Sequence, residues 1–193
     1  MYFKDEDISI LFLGDPQVGK TTIINQFAYD IFETSTNIIC SVEETPKIMG
    51  YRDGRTFKVT SIEAPGLEEA KNYLDKTQAI FLVCKSDIDS SINNIEKNWI
   101  DKLKNNYNYQ GIIVIVMNKA DKQNSQLQQQ KKDEVSKTAK ENEVLYGFIN
   151  HKDHEGIRKF YSQVIEEIKK KEEKALKKKS ENFACRRIFI SIA

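Results

Sequence analysis

Gly14-Asp15-Pro16-Gln17-Val18-Gly19-Lys20-Thr21 fits the spacing G-x-x-x-x-G-K-[ST] and runs on into Thr22. Glycines at both ends of such a loop let the chain curl until successive backbone N–H groups face a polyphosphate. A helix starting just after it adds further unpaired donors and the positive end of its dipole. Lys20 would reach the β- and γ-phosphates, and the Thr21 hydroxyl would take a place on Mg²⁺. A second chemical group, Asn118-Lys119-Ala120-Asp121, reads N-K-x-D. The Asp121 carboxylate would accept two hydrogen bonds from the N1–H and N2–H₂ edge of guanine. Adenine offers no such pair and would leave a buried acceptor unmatched, which discriminates strongly. Asn118 would tie the base to the phosphate loop, and the Lys119 stem would cover one face of the ring. The expected ligands are GTP or GDP with Mg²⁺.

These groups need a scaffold that brings them to one edge. Apolar runs of strand length occur at 8–13, 46–51, 56–62, 79–84, 112–117 and 144–149. Helical segments are expected at 20–29, 68–76, 92–105, 131–142 and 153–179. The turn signal Tyr51-Arg52-Asp53-Gly54-Arg55 predicts a hairpin between the second and third strands. Elsewhere the alternation predicts a doubly wound α/β domain: a mostly parallel six-stranded sheet with helices on both faces. Ligands of such sheets bind beyond the carboxyl ends of the strands. Ile8–Leu13 leads into the first motif and Ile112–Met117 into the second, so both emerge on the same rim. Ile92, Ile95, Trp99 and Leu103 recur at helical spacing, which predicts that Trp99 packs in the core. The Gln-rich stretch 123–132 reads as a solvated loop or weakly specified helix entry without chemistry.

With 193 residues, 31% charged side chains and a net charge of +1, the chain suits one soluble domain with a short extension and carries no global pull toward nucleic acid. Three scattered cysteines fit a reducing compartment. No apolar run is long enough to cross a bilayer. The N-terminal residues show no signal-peptide pattern, and the last four contain no cysteine for prenylation. The division expected is a nucleotide-binding domain over 1–168 and a Lys-rich helical extension over 169–193. That extension reads as a solvated helix, with peripheral contact to an anionic membrane as the alternative.

In this order and on this fold, the two motifs resemble those of the Ras-like small GTPases, over roughly Ile8 to Ile168. Within that superfamily the chain is similar to the first GTPase domain of the mitochondrial Rho (Miro) proteins. The likeness lies in Gly14–Thr21 with its internal proline, in Val42-Glu43-Glu44-Thr45, in Ser91–Ile100, and in Ala184-Cys185-Arg186-Arg187-Ile188-Phe189. The last of these resembles the helix entering their first EF-hand. By that resemblance the chain stops where a calcium-binding part would begin. The resemblance implies a P-loop small GTPase fold and a switch read by effectors, GTPase-activating proteins and exchange factors. It implies a cytoplasmic location, on the outer mitochondrial surface if the Miro likeness holds.

Several positions depart from the family pattern. Most members carry Asp-x-x-Gly-Gln where this chain has Glu63-Ala64-Pro65-Gly66-Leu67. Gly66 keeps an N–H for the γ-phosphate, Glu63 keeps the charge on a longer stem, and Leu67 stands where glutamine orients the attacking water. No arginine lies between Thr21 and Tyr51 to serve as an internal arginine finger. Slow intrinsic hydrolysis follows, and a nucleotide-binding scaffold without turnover is the competing expectation. For the switch threonine on Mg²⁺ the usual position holds Ile39, leaving Thr34, Ser35, Thr36 and, favoured by the Glu43-Glu44 likeness, Thr45. Asn150-His151-Lys152 matches the last base-contacting element, through a backbone N–H to the guanine O6. His151 and His154 read as surface residues rather than as a metal pair.

Overall fold

In the computed structural model, residues 6–31, 39–50, 54–119 and 126–190 are described, with backbone alone for Glu6 and for the final turns 179–190. The strands are β1 Glu6–Leu13, β2 Glu43–Gly50, β3 Thr56–Glu63, β4 Ala79–Lys85, β5 Ile112–Asn118 and β6 Leu145–Phe148. They form one sheet in the order β2-β3-β1-β4-β5-β6. β2 and β3 pair antiparallel, from Glu43 opposite Glu63 to Gly50 opposite Thr56, as the predicted hairpin requires. All other pairings are parallel. The carboxyl ends of β1, β3, β4, β5 and β6 therefore share one rim, and the six-stranded α/β expectation holds.

Alternation along β1 splits the core into two layers. Ile8, Ile10 and Phe12 face one side, packing with Ile23, Ile24 and Phe27 of α1 (Lys20–Tyr29) and with Ile157, Tyr161 and Val164 of α5 (His154–Ile190). Aromatic rings fill this layer. Phe27 stacks on Tyr161 at 3.6 Å, Phe81 meets Tyr161 edge-on at 5.4 Å, and the buried Tyr161 hydroxyl lies 3.0 Å from the Ser61 hydroxyl. Leu11 and Leu13 face the other side. There they meet α2 (Leu67–Leu74), α3 (Asp89–Asn94) with the helical turns that continue it, and α4 (Gln126–Glu141). β4 is apolar and buried from Ala79 to Cys84, as a strand covered on both faces must be.

Three elements differ from their sequence expectations. The helix expected over 92–105 starts earlier, as α3, and then widens into π-helical turns over Ile95–Ile100 and Lys102–Asn106. Period counting does not separate a 3.6-residue repeat from a local π-turn, because Ile92, Ile95, Ile100 and Leu103 are buried either way. α4 begins at Gln126, inside the Gln-rich stretch, because glutamine is a good helix former and Gln128 is buried against the domain. β2 begins at Glu43, so the acidic pair and Thr45 belong to a strand.

Candidate nucleotide site

At the rim, the chain leaves β1 and curls through the phosphate-loop residues into α1. Positive φ angles at Gly14 (138°), Gln17 (65°) and Gly19 (95°) make the curl. Both glycines also permit close approach. A Cβ on Gly14 would sit 2.2 Å from the Val83 carbonyl oxygen, and one on Gly19 would sit 2.4 Å from Asn118 Nδ2. Asp15 and Thr22 are half-buried, Pro16 and Gln17 are exposed, and Val18 is buried. Lys20 is 7% exposed, and its ammonium donates to the carbonyl oxygens of Gly14 (3.0 Å) and Asp15 (3.2 Å). Burial pulls its pKa below the ordinary lysine value, against the attraction of Glu63 and Asp15. An ammonium held by its own loop and short of solvent is suited to an incoming phosphate.

Asn118, at the end of β5 and 1% exposed, joins three segments. Its Nδ2 donates to the Val18 carbonyl at 3.0 Å, and its Oδ1 accepts from the Lys119 N–H at 2.7 Å. His151 Nδ1 lies 3.0 Å from the same Oδ1. Since Nδ2 faces a carbonyl, Oδ1 must be the acceptor here, and His151 carries its proton on Nδ1. The expected tie between the base motif and the phosphate loop is therefore present as a side-chain bond. Lys119 adopts φ 56° and its Nζ lies 3.6 Å from Asp87. Ser86 Oγ donates to the Lys119 carbonyl at 2.8 Å, fixing the turn that leads toward Asp121. Asp121 itself lies outside the described residues, as do Thr34, Ser35 and Thr36.

His151 is not a surface residue: it is 6% exposed. Two local bonds flank it, the Lys152 N–H to Asn150 Oδ1 (2.9 Å) and the Gly156 N–H to Asp153 Oδ1 (2.9 Å). Lys152 stays exposed. His154 is half-buried beside α1, with Nδ1 3.1 Å from the Gln26 carbonyl and Nε2 3.1 Å from Asp30. The two rings serve different partners, and no metal-ligand cluster exists among the described residues.

Across the loop, the Thr21 hydroxyl donates to Glu63 Oε1 at 3.0 Å. The additional methylene of glutamate lets the carboxylate touch Thr21 directly. Burial raises the Glu63 pKa, the Thr21 bond and Lys20 oppose that shift, and Glu43 reinforces it. A buried carboxylate and a hydroxyl in contact form an oxygen donor pair that fits Mg²⁺. Glu43 lies directly opposite Glu63 in the sheet, whereas Thr45 pairs with Ser61, about 7 Å further along the strand. Gly66 precedes α2, and Leu67, its first residue, packs against the second core layer.

Four participants were not legible as such. Trp99 packs on the second layer as expected, yet its indole Nε1 also donates to Asp15 Oδ1 at 3.1 Å, and Asn94 Nδ2 donates to Asp15 Oδ2 at 2.7 Å. From the Gln-rich stretch, Gln128 Nε2 reaches the Lys119 carbonyl at 3.4 Å. Lys131, just beyond Gln128, donates to the Ser86 carbonyl (2.7 Å) and pairs with Asp89 (2.6 Å).

The Ras family model matches residues 9–170, which spans both motifs and the sheet from within β1 through β6. The chain belongs to the Ras family. Membership makes it a small GTP-binding protein, and the cradle around Lys20 and Asn118 is the candidate site for that nucleotide. Among the described residues, no helix is long and apolar enough to cross a membrane.

Proposed function

We propose that this Ras-family protein is a GTP-binding regulatory switch with slow intrinsic hydrolysis, whose product is a changed surface offered to protein effectors. The observation that carries this reading is Leu67, which follows the γ-phosphate glycine and commits its side chain to the hydrophobic layer. It brings no polar group to a water, so orientation of the nucleophile depends on a partner. Thr21 and Glu63 would hold Mg²⁺, which when bound neutralises phosphate charge. Lys20 holds the phosphates, Gly66 offers its N–H to the γ-phosphate, and Asp121 selects guanine.

The Thr21–Glu63 contact supports a second reading, a nucleotide-binding scaffold without meaningful turnover, because this carboxylate engages the hydroxyl directly. A single-turnover assay with bound GTP, with and without cell extract, separates the two. Phosphate release that is slow alone and faster with extract supports the switch. Release in neither condition leaves the scaffold. The likeness to the first GTPase domain of mitochondrial Rho proteins supports action at the outer mitochondrial surface, with activating proteins and exchange factors as partners. The Lys-rich extension over 169–193 is proposed as a peripheral segment able to meet an anionic surface. Organelle fractionation and vesicle co-sedimentation test these two assignments.

A further inference from the structure

Asn94 and Trp99 are five residues apart. In a regular α-helix that spacing turns two side chains roughly 140° away from each other. Here the π-helical segment Ile95–Ile100 sets in directly after Asn94, and an i→i+5 repeat brings the two residues onto one face. Both then donate to the same carboxylate, one to each oxygen of Asp15. The geometry is held from behind. Asn98 Nδ2 donates to Asn94 Oδ1 at 2.8 Å, which orients the Asn94 amide with its donor toward the loop, while the Trp99 ring is anchored in the second core layer.

Asp15 lies inside the phosphate loop, where a negative side chain is a hazard. Its charge is near enough to act on the Lys20 ammonium, and its carbonyl accepts from that ammonium. A carboxylate free to rotate here would repel a polyphosphate and compete for Lys20. We propose that Asn94 and Trp99 form a clamp that turns the Asp15 carboxylate toward the third helix and satisfies it there, so that the loop retains nucleotide. They are positioning residues; neither touches the nucleotide. The inference rests on the nucleotide-site reading above.

Dissociation of fluorescent GDP from the full chain in Mg²⁺ tests it, with thermal melting as the check on folding. Replacing both donors, Asn94→Ala with Trp99→Phe, is expected to speed release about tenfold, and each single change less. Adding Asp15→Asn to the pair removes the charge while keeping the shape. It is expected to return release to within about twofold of the parent. A purely structural contribution would show no such rescue. Unchanged release in the pair, or fast release that Asp15→Asn does not repair, overturns the clamp. If the pair does not melt cooperatively, the single variants, each with and without Asp15→Asn, decide by the same criterion. A parent that binds no guanine nucleotide overturns the nucleotide reading itself. Trp99 is the sole tryptophan of the sequence. Its emission in nucleotide-free protein should therefore shift on Asp15→Asn, and an unmoved spectrum would contradict the contact.

Discussion

Two sides of one rim are built differently. On the holding side, the phosphate loop is locked from three directions: Lys20 from within, Asn118 from the end of β5, and Asn94 with Trp99 from the third helix. On the turnover side, Glu63 grips Thr21 directly, and Leu67 is spent on packing. The first arrangement pairs the Lys20 ammonium and the Asn118 amide within the loop and draws the Asp15 carboxylate toward the third helix. The second replaces a water-orienting amide with hydrocarbon. On the reading proposed above, the first side serves retention of nucleotide and the second its cleavage, with Thr21 common to both.

Substitutions on each side can break or sharpen this contrast. Lys20→Ala removes the buried ammonium and should weaken GDP and GTP binding by roughly a thousandfold while leaving the fold intact, measured by equilibrium titration and circular dichroism. Retained binding would mean that the loop holds phosphate without its lysine. Asp121→Asn should lower GTP affinity by about a hundredfold and admit xanthosine triphosphate, whose 2-oxo group suits an amide donor. Equal GTP affinity in that variant would remove Asp121 from base recognition.

On the turnover side, Leu67→Gln should raise single-turnover hydrolysis by about tenfold, since it returns the missing amide. It should also lose about 1–2 kcal/mol of stability in urea melts, because Leu67 packs on the core. Faster release of product with unchanged chemistry would argue against the amide's role. The smallest effect concerns pH. Burial raises the Glu63 pKa, so its contribution to stability is complete below the ordinary glutamate value and is lost as pH climbs through the folded value. Nucleotide-free protein should therefore melt at slightly lower temperature as pH rises from mildly acidic toward neutral, and Glu63→Gln should flatten that slope. An identical slope in both proteins would place the titration elsewhere.

How much of this could be seen beforehand depended on range along the chain. The phosphate loop was legible because its chemistry lies in eight consecutive residues. The strands were legible because runs such as Ile112–Met117 are apolar on both faces. The roles of Trp99 and His151 were not, because each is set by a partner far away in sequence. Asp15 reaches Trp99 across 84 positions, and Asn118 reaches His151 across 33. Nothing local marks an indole N–H as a donor to a loop, and an Asn-His-Lys turn looks polar until Asn118 is seen to meet the ring. The Gln-rich stretch was read as a solvated loop or a helix entry; it is the helix entry, and its contacts were hidden for a related reason, since Gln128 and Lys131 meet Lys119 and Ser86.

α5 starts three residues after His151, beside the nucleotide rim, and runs back past the far edge of the sheet. There Lys171 donates to the carbonyl oxygens of Gln110 and Gly111, just ahead of β5. Beyond that point the same helix continues to Ile190, a further length of about 30 Å. Residues 171–178 along it are solvent-exposed, and they lie at the end of the sheet away from the phosphate loop. Changes made along that stretch should therefore leave the hydrogen bonds around Lys20 and Asn118 as they are.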